Sequence, residues 1–123
     1  MIDRRGAWIE VDLDAIRHNI GLIRGVVGTA AVAPVVKADA YGHGMVEVSR
    51  AIASISDALC VASLDEALAL RPEVKNRILL LYPVPHAAVP EAVDIGVELP
   101  VMSAHDLQAN RKALRAHPKP LRN

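Results

Sequence analysis

Phenylalanine is absent from this chain and aromatic residues make up only 2% of it, which leaves no stacking platform on which nucleic-acid bases could be read. Neither sign of charge is in excess. Fourteen basic residues face fourteen acidic ones, for no net charge, so no electrostatic grip on nucleic acid or an anionic membrane is built in. The single cysteine, Cys60, cannot form an internal disulfide, and it falls in the apolar run ALCVA, where a small buried residue fits. A reducing cytoplasm is the expected setting. No uninterrupted apolar run reaches the roughly 18 residues that suggest a membrane span. The opening MIDRRGAWIEVDLD carries charges where an export signal has its apolar stretch. A small molecule is the expected partner, with no nucleic acid and no membrane.

What the chain does have is apolar content, 52% over 123 residues, enough for one core. Ala7 to Val11 alternates apolar and polar residues as a strand with one wet face does. Asp12 can cap a following helix whose stripe is Leu13, Ile16, Ile20, Ile23 and Val27, ending near Gly28. Val32 to Lys37 reads as a strand with Pro34 near its beginning, followed by a helical stripe of Met45, Val48, Ile52 and Ile55. Ala58 to Ala62 is a second strand, and Ser63 with Glu66 has the spacing of a capping box for a helix through Arg71. Ile78 to Tyr82 is a third, then a helix from about Ala87 to Ile95. Val97 to Met102 is a fourth, and Ser103 with Asp106 caps a helix to about Ala116, before the connector HPKPLRN. Strands alternating with helices imply right-handed crossovers and a parallel sheet with outer helices. Four such units amount to about half of a closed eight-stranded barrel.

The stretch with the most chemistry is VVKADAYGHG, residues 35 to 44. Two valines deliver Lys37 to the end of a buried strand. A lysine held against apolar neighbours has its charged form disfavoured, so its neutral amine becomes available to attack carbonyls and form Schiff bases. Gly42 and Gly44 permit a tight turn, and the Tyr41 hydroxyl can donate to an anion such as a phosphate. The group suits a cofactor bearing an aldehyde and a phosphate. The plainer reading stays open at this point, in which the lysine snorkels to water and the glycines only turn the chain. A dinucleotide fingerprint is discarded, because Glu47 stands where the third glycine belongs.

Other side chains offer less. Asp39 and His43 lie four apart in a turn rather than on a helix, Asp65 and Glu66 point different ways and suit capping, and His86, His105 and His117 are scattered. No metal site is expected.

VVKADAYGHG resembles the pyridoxal-phosphate lysine motif of bacterial alanine racemases. WIEVDLDAIRHNI (8 to 20), CVASLDEALALR (60 to 71) and ILLLY (78 to 82) follow in the order and spacing of that family's N-terminal part. The resemblance implies a fold type III pyridoxal 5'-phosphate enzyme interconverting L- and D-alanine, which supplies D-alanine for peptidoglycan. Its fold is α/β, a (β/α)8 TIM-type barrel followed by a mostly β domain. Residues 1 to 123 would be the partial barrel domain, and the strand from Trp8 to Val11 would join the β domain. By the same resemblance Lys37 carries the cofactor and is one of two catalytic bases, Tyr41 contacts the cofactor phosphate, and Leu81 lies beside the cofactor. The second base, a tyrosine from the partner subunit of a homodimer, falls beyond residue 123. The chain alone is therefore expected not to racemise alanine. The AYGHG continuation is closer to the alanine enzymes than to broad-specificity racemases, fold type III decarboxylases or small non-catalytic cofactor carriers. A flavodoxin-like structural module with Lys37 on its surface is the alternative without a cofactor.

Overall fold

The computed structural model describes residues 6–116. Helix α1 spans Leu13–Val27; the Asp12 carboxylate accepts from the Ala15 N–H at 2.9 Å, and Gly28 closes it at φ 63°. Leu13, Ile16 and Ile20 pack against the core as the three- and four-residue spacing requires, whereas Ile23 and Val27, at the far end of the stripe, remain exposed.

Three parallel strands follow, β1 Ala58–Val61, β2 Arg77–Leu80 and β3 Val97–Glu98, in the order β1-β2-β3. Cys60 lies opposite Leu79, and Leu79 opposite Glu98. Helices α3 (Met45–Ile52), α4 (Leu64–Leu70), α5 (Val89–Asp94) and α6 (Ala104–Arg115) connect and flank them. The core lies between sheet and helices: Val36, Leu59, Val61, Ile78 and Leu80 meet Val48, Ile52, Ala67 and Leu70. Cys60 is buried, and burial pushes its thiol up from the ordinary value.

Several elements are shorter than the sequence suggests. Residues 7–11 form no strand; Trp8 and Ile9 are exposed, and Trp8 Nε1 donates to Glu10 at 3.1 Å. An isolated strand has no partner for its backbone groups, and none of the described strands lies beside this one. The strand expected over Val32 to Lys37 is reduced to a parallel bridge between Val35 and Cys60. Its ladder is nonetheless real: Cys60 N–H donates to Pro34 O and Val36 N–H to Cys60 O, both at 2.9 Å. The strand expected to reach Met102 stops at Glu98, because Pro100 supplies no ladder donor and restricts Leu99 before it.

Asp57 fastens α1 to this framework. One of its carboxylate oxygens accepts from Arg24 and from the Val32 N–H, each at 2.7 Å, and Arg24 also donates to Ile55 O. These bonds, with the Val32 amide contributing most, hold the Asp57 carboxyl below the usual carboxylate range.

Candidate active site

Lys37 opens α2 (Lys37–Gly42), at the carboxyl end of the Val32–Val36 segment, where the chain leaves the sheet. The expected glycine turn is a turn of left-handed helix: Ala38, Asp39, Ala40 and Tyr41 all have φ between 51° and 56°. Left-handed helix costs an L-residue roughly 1–2 kcal/mol, or about 4–8 kcal/mol over four residues. That is comparable to the roughly 5–15 kcal/mol by which a whole domain is stable. The surroundings must therefore hold the turn.

The bonds that hold it are specific. Ala40 N–H donates to Val36 O at 2.9 Å and Gly44 N–H to Asp39 O at 2.9 Å. The Asp39 carboxylate accepts from Met45 N–H at 2.8 Å, which satisfies one of the free amides at the start of α3. Glu66, from the first turn of α4, accepts from Ala38 N–H at 2.8 Å and from Ala62 N–H at 2.7 Å. Ser63 does cap α4, accepting from Glu66 N–H at 3.2 Å. The other half of the expected capping box is not what Glu66's carboxylate does, since it reaches across to the Lys37 segment.

The turn and the end of β2 bring the sequence-predicted residues to one place. Lys37, half-buried, has its Nζ 5.8 Å from the ring centroid of Tyr41 and 5.8 Å from that of Tyr82. Leu81 precedes Tyr82, and its N–H donates to Val61 O at 2.9 Å, which seats it at the carboxyl end of the sheet. Tyr41, Leu81 and Tyr82 are all exposed. An amine, two phenol rings and an aliphatic side chain thus face solvent at the end of a parallel sheet where such folds bind ligands. Sequence reasoning singled out Leu81 and missed Tyr82, although both close the same ILLLY run. It also missed Glu66 and Asp39 as supports of the turn.

His43 and Asp39 do not converge on a common point. His43 Nδ1 contacts Ala40 O at 2.9 Å, and Asp39 is committed to Met45. His86 and His105, read as scattered, come together with ring centroids 6.4 Å apart, and with Asp106 they place ligand-type atoms within 4.8 Å of one another. His86 Nδ1 is already against Asn110 Oδ1 at 2.9 Å, and both histidines are solvent-exposed. His117 lies outside the described residues.

The donor set around Lys37 fits pyridoxal 5'-phosphate chemically. A half-buried amine suits the aldehyde, a tyrosine hydroxyl suits the phosphate, and an apolar edge suits the ring.

Comparison with known proteins agrees in sequence and in shape. Residues 11–123 match the family model described as alanine racemase, N-terminal domain. The chain is 40% identical over 96 residues to an alanine racemase of Clostridium kluyveri, covering 76% of this chain and 25% of that protein. The solved alanine racemase of Clostridium difficile 630 superimposes with a TM-score of 0.84 at 29% identity, over 94% of this chain and 31% of that one. A histidine racemase from Leuconostoc mesenteroides superimposes with a TM-score of 0.83 at 25% identity, over 94% and 32%. The chain spans about a quarter of the length of the curated relatives it matches. Its arc of parallel strands and outer helices is the N-terminal part of an α/β barrel of the TIM type.

Proposed function

The chain belongs to the alanine racemase family through its N-terminal domain, and from that premise we propose that it supplies the cofactor-lysine portion of an enzyme interconverting L- and D-alanine with pyridoxal 5'-phosphate. The observation that carries the reading is Lys37 itself, whose Nζ stands between Tyr41 and Tyr82 at the carboxyl end of the sheet.

Racemisation removes the α-proton of an amino acid from one face and returns a proton on the other. When bound, the cofactor supplies an electron sink that makes loss of that proton tolerable. Lys37 Nζ would hold the cofactor at its aldehyde and would carry the proton on one face of the substrate. The Tyr41 hydroxyl would donate to the phosphate and fix its position. Leu81 and Tyr82, exposed at the end of the sheet, would offer an apolar edge to the cofactor ring. The opposite face needs a second acid–base group, which the family draws from a partner subunit. A homodimer is therefore part of this reading, and so are the barrel half and β domain beyond these residues. D-Alanine made this way serves peptidoglycan, and a cytoplasmic site fits a chain in which no described helix is long and apolar enough to cross a membrane.

A second reading, racemisation of another amino acid, rests on the similarity in shape to a histidine racemase. Substrate choice then lies outside the residues that bind cofactor.

Titration of the chain and of Lys37→Ala with pyridoxal 5'-phosphate tests the proposal. A visible absorbance band trapped by borohydride on Lys37, and absent from Lys37→Ala, is the expected result. Equal labelling of both proteins, or of neither, would overturn it.

A further inference from the structure

The parallel ladder beside Lys37 ends in an unusual way. Its last two bonds are Cys60 N–H to Pro34 O and Val36 N–H to Cys60 O. A ladder continuing in the same register would next pair Ala62 N–H with Val36 O, and Ala38 N–H with Ala62 O. Neither bond forms, because Val36 O is taken by Ala40 N–H in the left-handed turn. The two amides that lose their partners are the two that Glu66 accepts, Ala38 on Oε1 at 2.8 Å and Ala62 on Oε2 at 2.7 Å. One carboxylate thus replaces two ladder bonds at the point where the chain leaves the sheet.

We propose that Glu66 is the positioning residue for Lys37, acting through the Ala38 amide to fix the left-handed turn and so to aim the amine; this rests on the reading of Lys37 as the cofactor lysine. Ala38 is the residue after Lys37 and the first of the four in the turn with positive φ. An acceptor with two oxygens is required, because both partners are N–H groups. A glutamine in its place keeps one acceptor and turns an N–H2 group towards the other amide, so it retains one bond at most. Aspartate is one methylene shorter and cannot span both amides from the same helix position. Asp65, the neighbouring exposed carboxylate in the same helix turn, is the control for charge near the start of α4.

The experiment compares the wild-type chain with Glu66→Gln, Glu66→Ala and Asp65→Asn by two readouts. The first is the rate of borohydride-trapped labelling of Lys37 by pyridoxal 5'-phosphate, located by mass spectrometry, with Lys75 and Lys112 as internal references. The second is amide hydrogen exchange at Ala38 and Ala62, with Leu70 and Ile78 as references. Glu66→Gln should slow Lys37 labelling about tenfold and speed exchange at Ala38 or Ala62 by a similar factor, leaving the reference lysines, the reference amides and Asp65→Asn at wild-type values. Wild-type labelling and exchange in Glu66→Gln overturns the proposal, as does a loss spread equally over all lysines and amides. If Glu66→Ala fails to fold, Glu66→Gln carries the comparison. If wild-type Lys37 takes no label, the cofactor reading fails and with it the positioning of Lys37 for that cofactor, while selective exchange at Ala38 and Ala62 would still identify Glu66 as the clamp on the turn.

Discussion

Ala38 is an alanine where the backbone asks for glycine. Its φ is 51° and its side chain is exposed, so the Cβ contributes little packing and bears the left-handed penalty of roughly 1–2 kcal/mol. Replacement by glycine removes that penalty and adds back the greater freedom of glycine in the unfolded chain, worth about 0.4–1 kcal/mol. Ala38→Gly should therefore stabilise the protein by about 0.5–1 kcal/mol, read as a higher urea midpoint. The matched change in right-handed helix, Ala69→Gly on the exposed side of α4, should lower stability by up to about 1 kcal/mol. A fall in both midpoints would show that the turn at Ala38 is not left-handed in solution. The alanine has a functional logic under the proposed role of Lys37: a glycine would relieve strain and also loosen the backbone that aims the amine.

At the scale of elements, α1 is held to the core, chiefly against α3, by apolar contacts of Leu13, Ile16 and Ile20, and by the Asp57 carboxylate between Arg24 and Val32. Because the folded state holds Asp57 below its ordinary value, the unfolded state binds the proton more tightly. Its contribution is present above the unfolded value of about 3.9 and is lost as pH falls through the lower folded one. The difference in urea midpoint between wild type and Asp57→Asn should therefore be constant near neutrality and shrink below about pH 4. A difference that persists unchanged at pH 2 would assign the stabilisation to something other than the ionised carboxylate.

Which elements were readable from the sequence follows from what fixes them. α1 was, from Asp12 to Gly28, because its cap, stripe and stop are all local signals, and α4 and α6 were for the same reason. Lys37, Tyr41 and Leu81 were singled out because a long motif and an apolar strand end mark them. The left-handed turn was hidden, since Ala-Asp-Ala-Tyr has no glycine at its four strained positions and the conformation is imposed by Val36 O, Glu66 and Asp39. The meeting of His86 with His105 was hidden too, because 18 residues including a helix and a strand separate them. Trp8 to Val11 shows the converse: alternation marked a strand, but a strand needs a neighbour to form.

The whole molecule has two unlike sheet faces. Val36, Val61, Ile78 and Leu80 are buried under helices; on the alternate positions Ala58 and Cys60 of β1 are buried too, but beside them Val35 and Leu81 are 39% and 40% exposed and Leu79 is half-buried. Alternation along each strand puts these residues on the face that a closed barrel would turn inward. Tyr82, Val101 and Met102 add further exposed apolar surface, and β3 pairs through only two residues, leaving its outer edge free among the described strands. Apolar area and unpaired strand edges of this kind drive association. Sedimentation velocity should find a weight-average mass that rises above 13.2 kDa with concentration. Val35→Lys sets a charge on the uncovered face at the strand that bridges β1, where inward charges block edge pairing. That variant should shift the association to at least about tenfold higher concentration, equivalent to about 1.4 kcal/mol or more of contact free energy. A wild-type chain that stays at its monomer mass over the whole range would mean that this face is closed in solution by a rearrangement of the sheet.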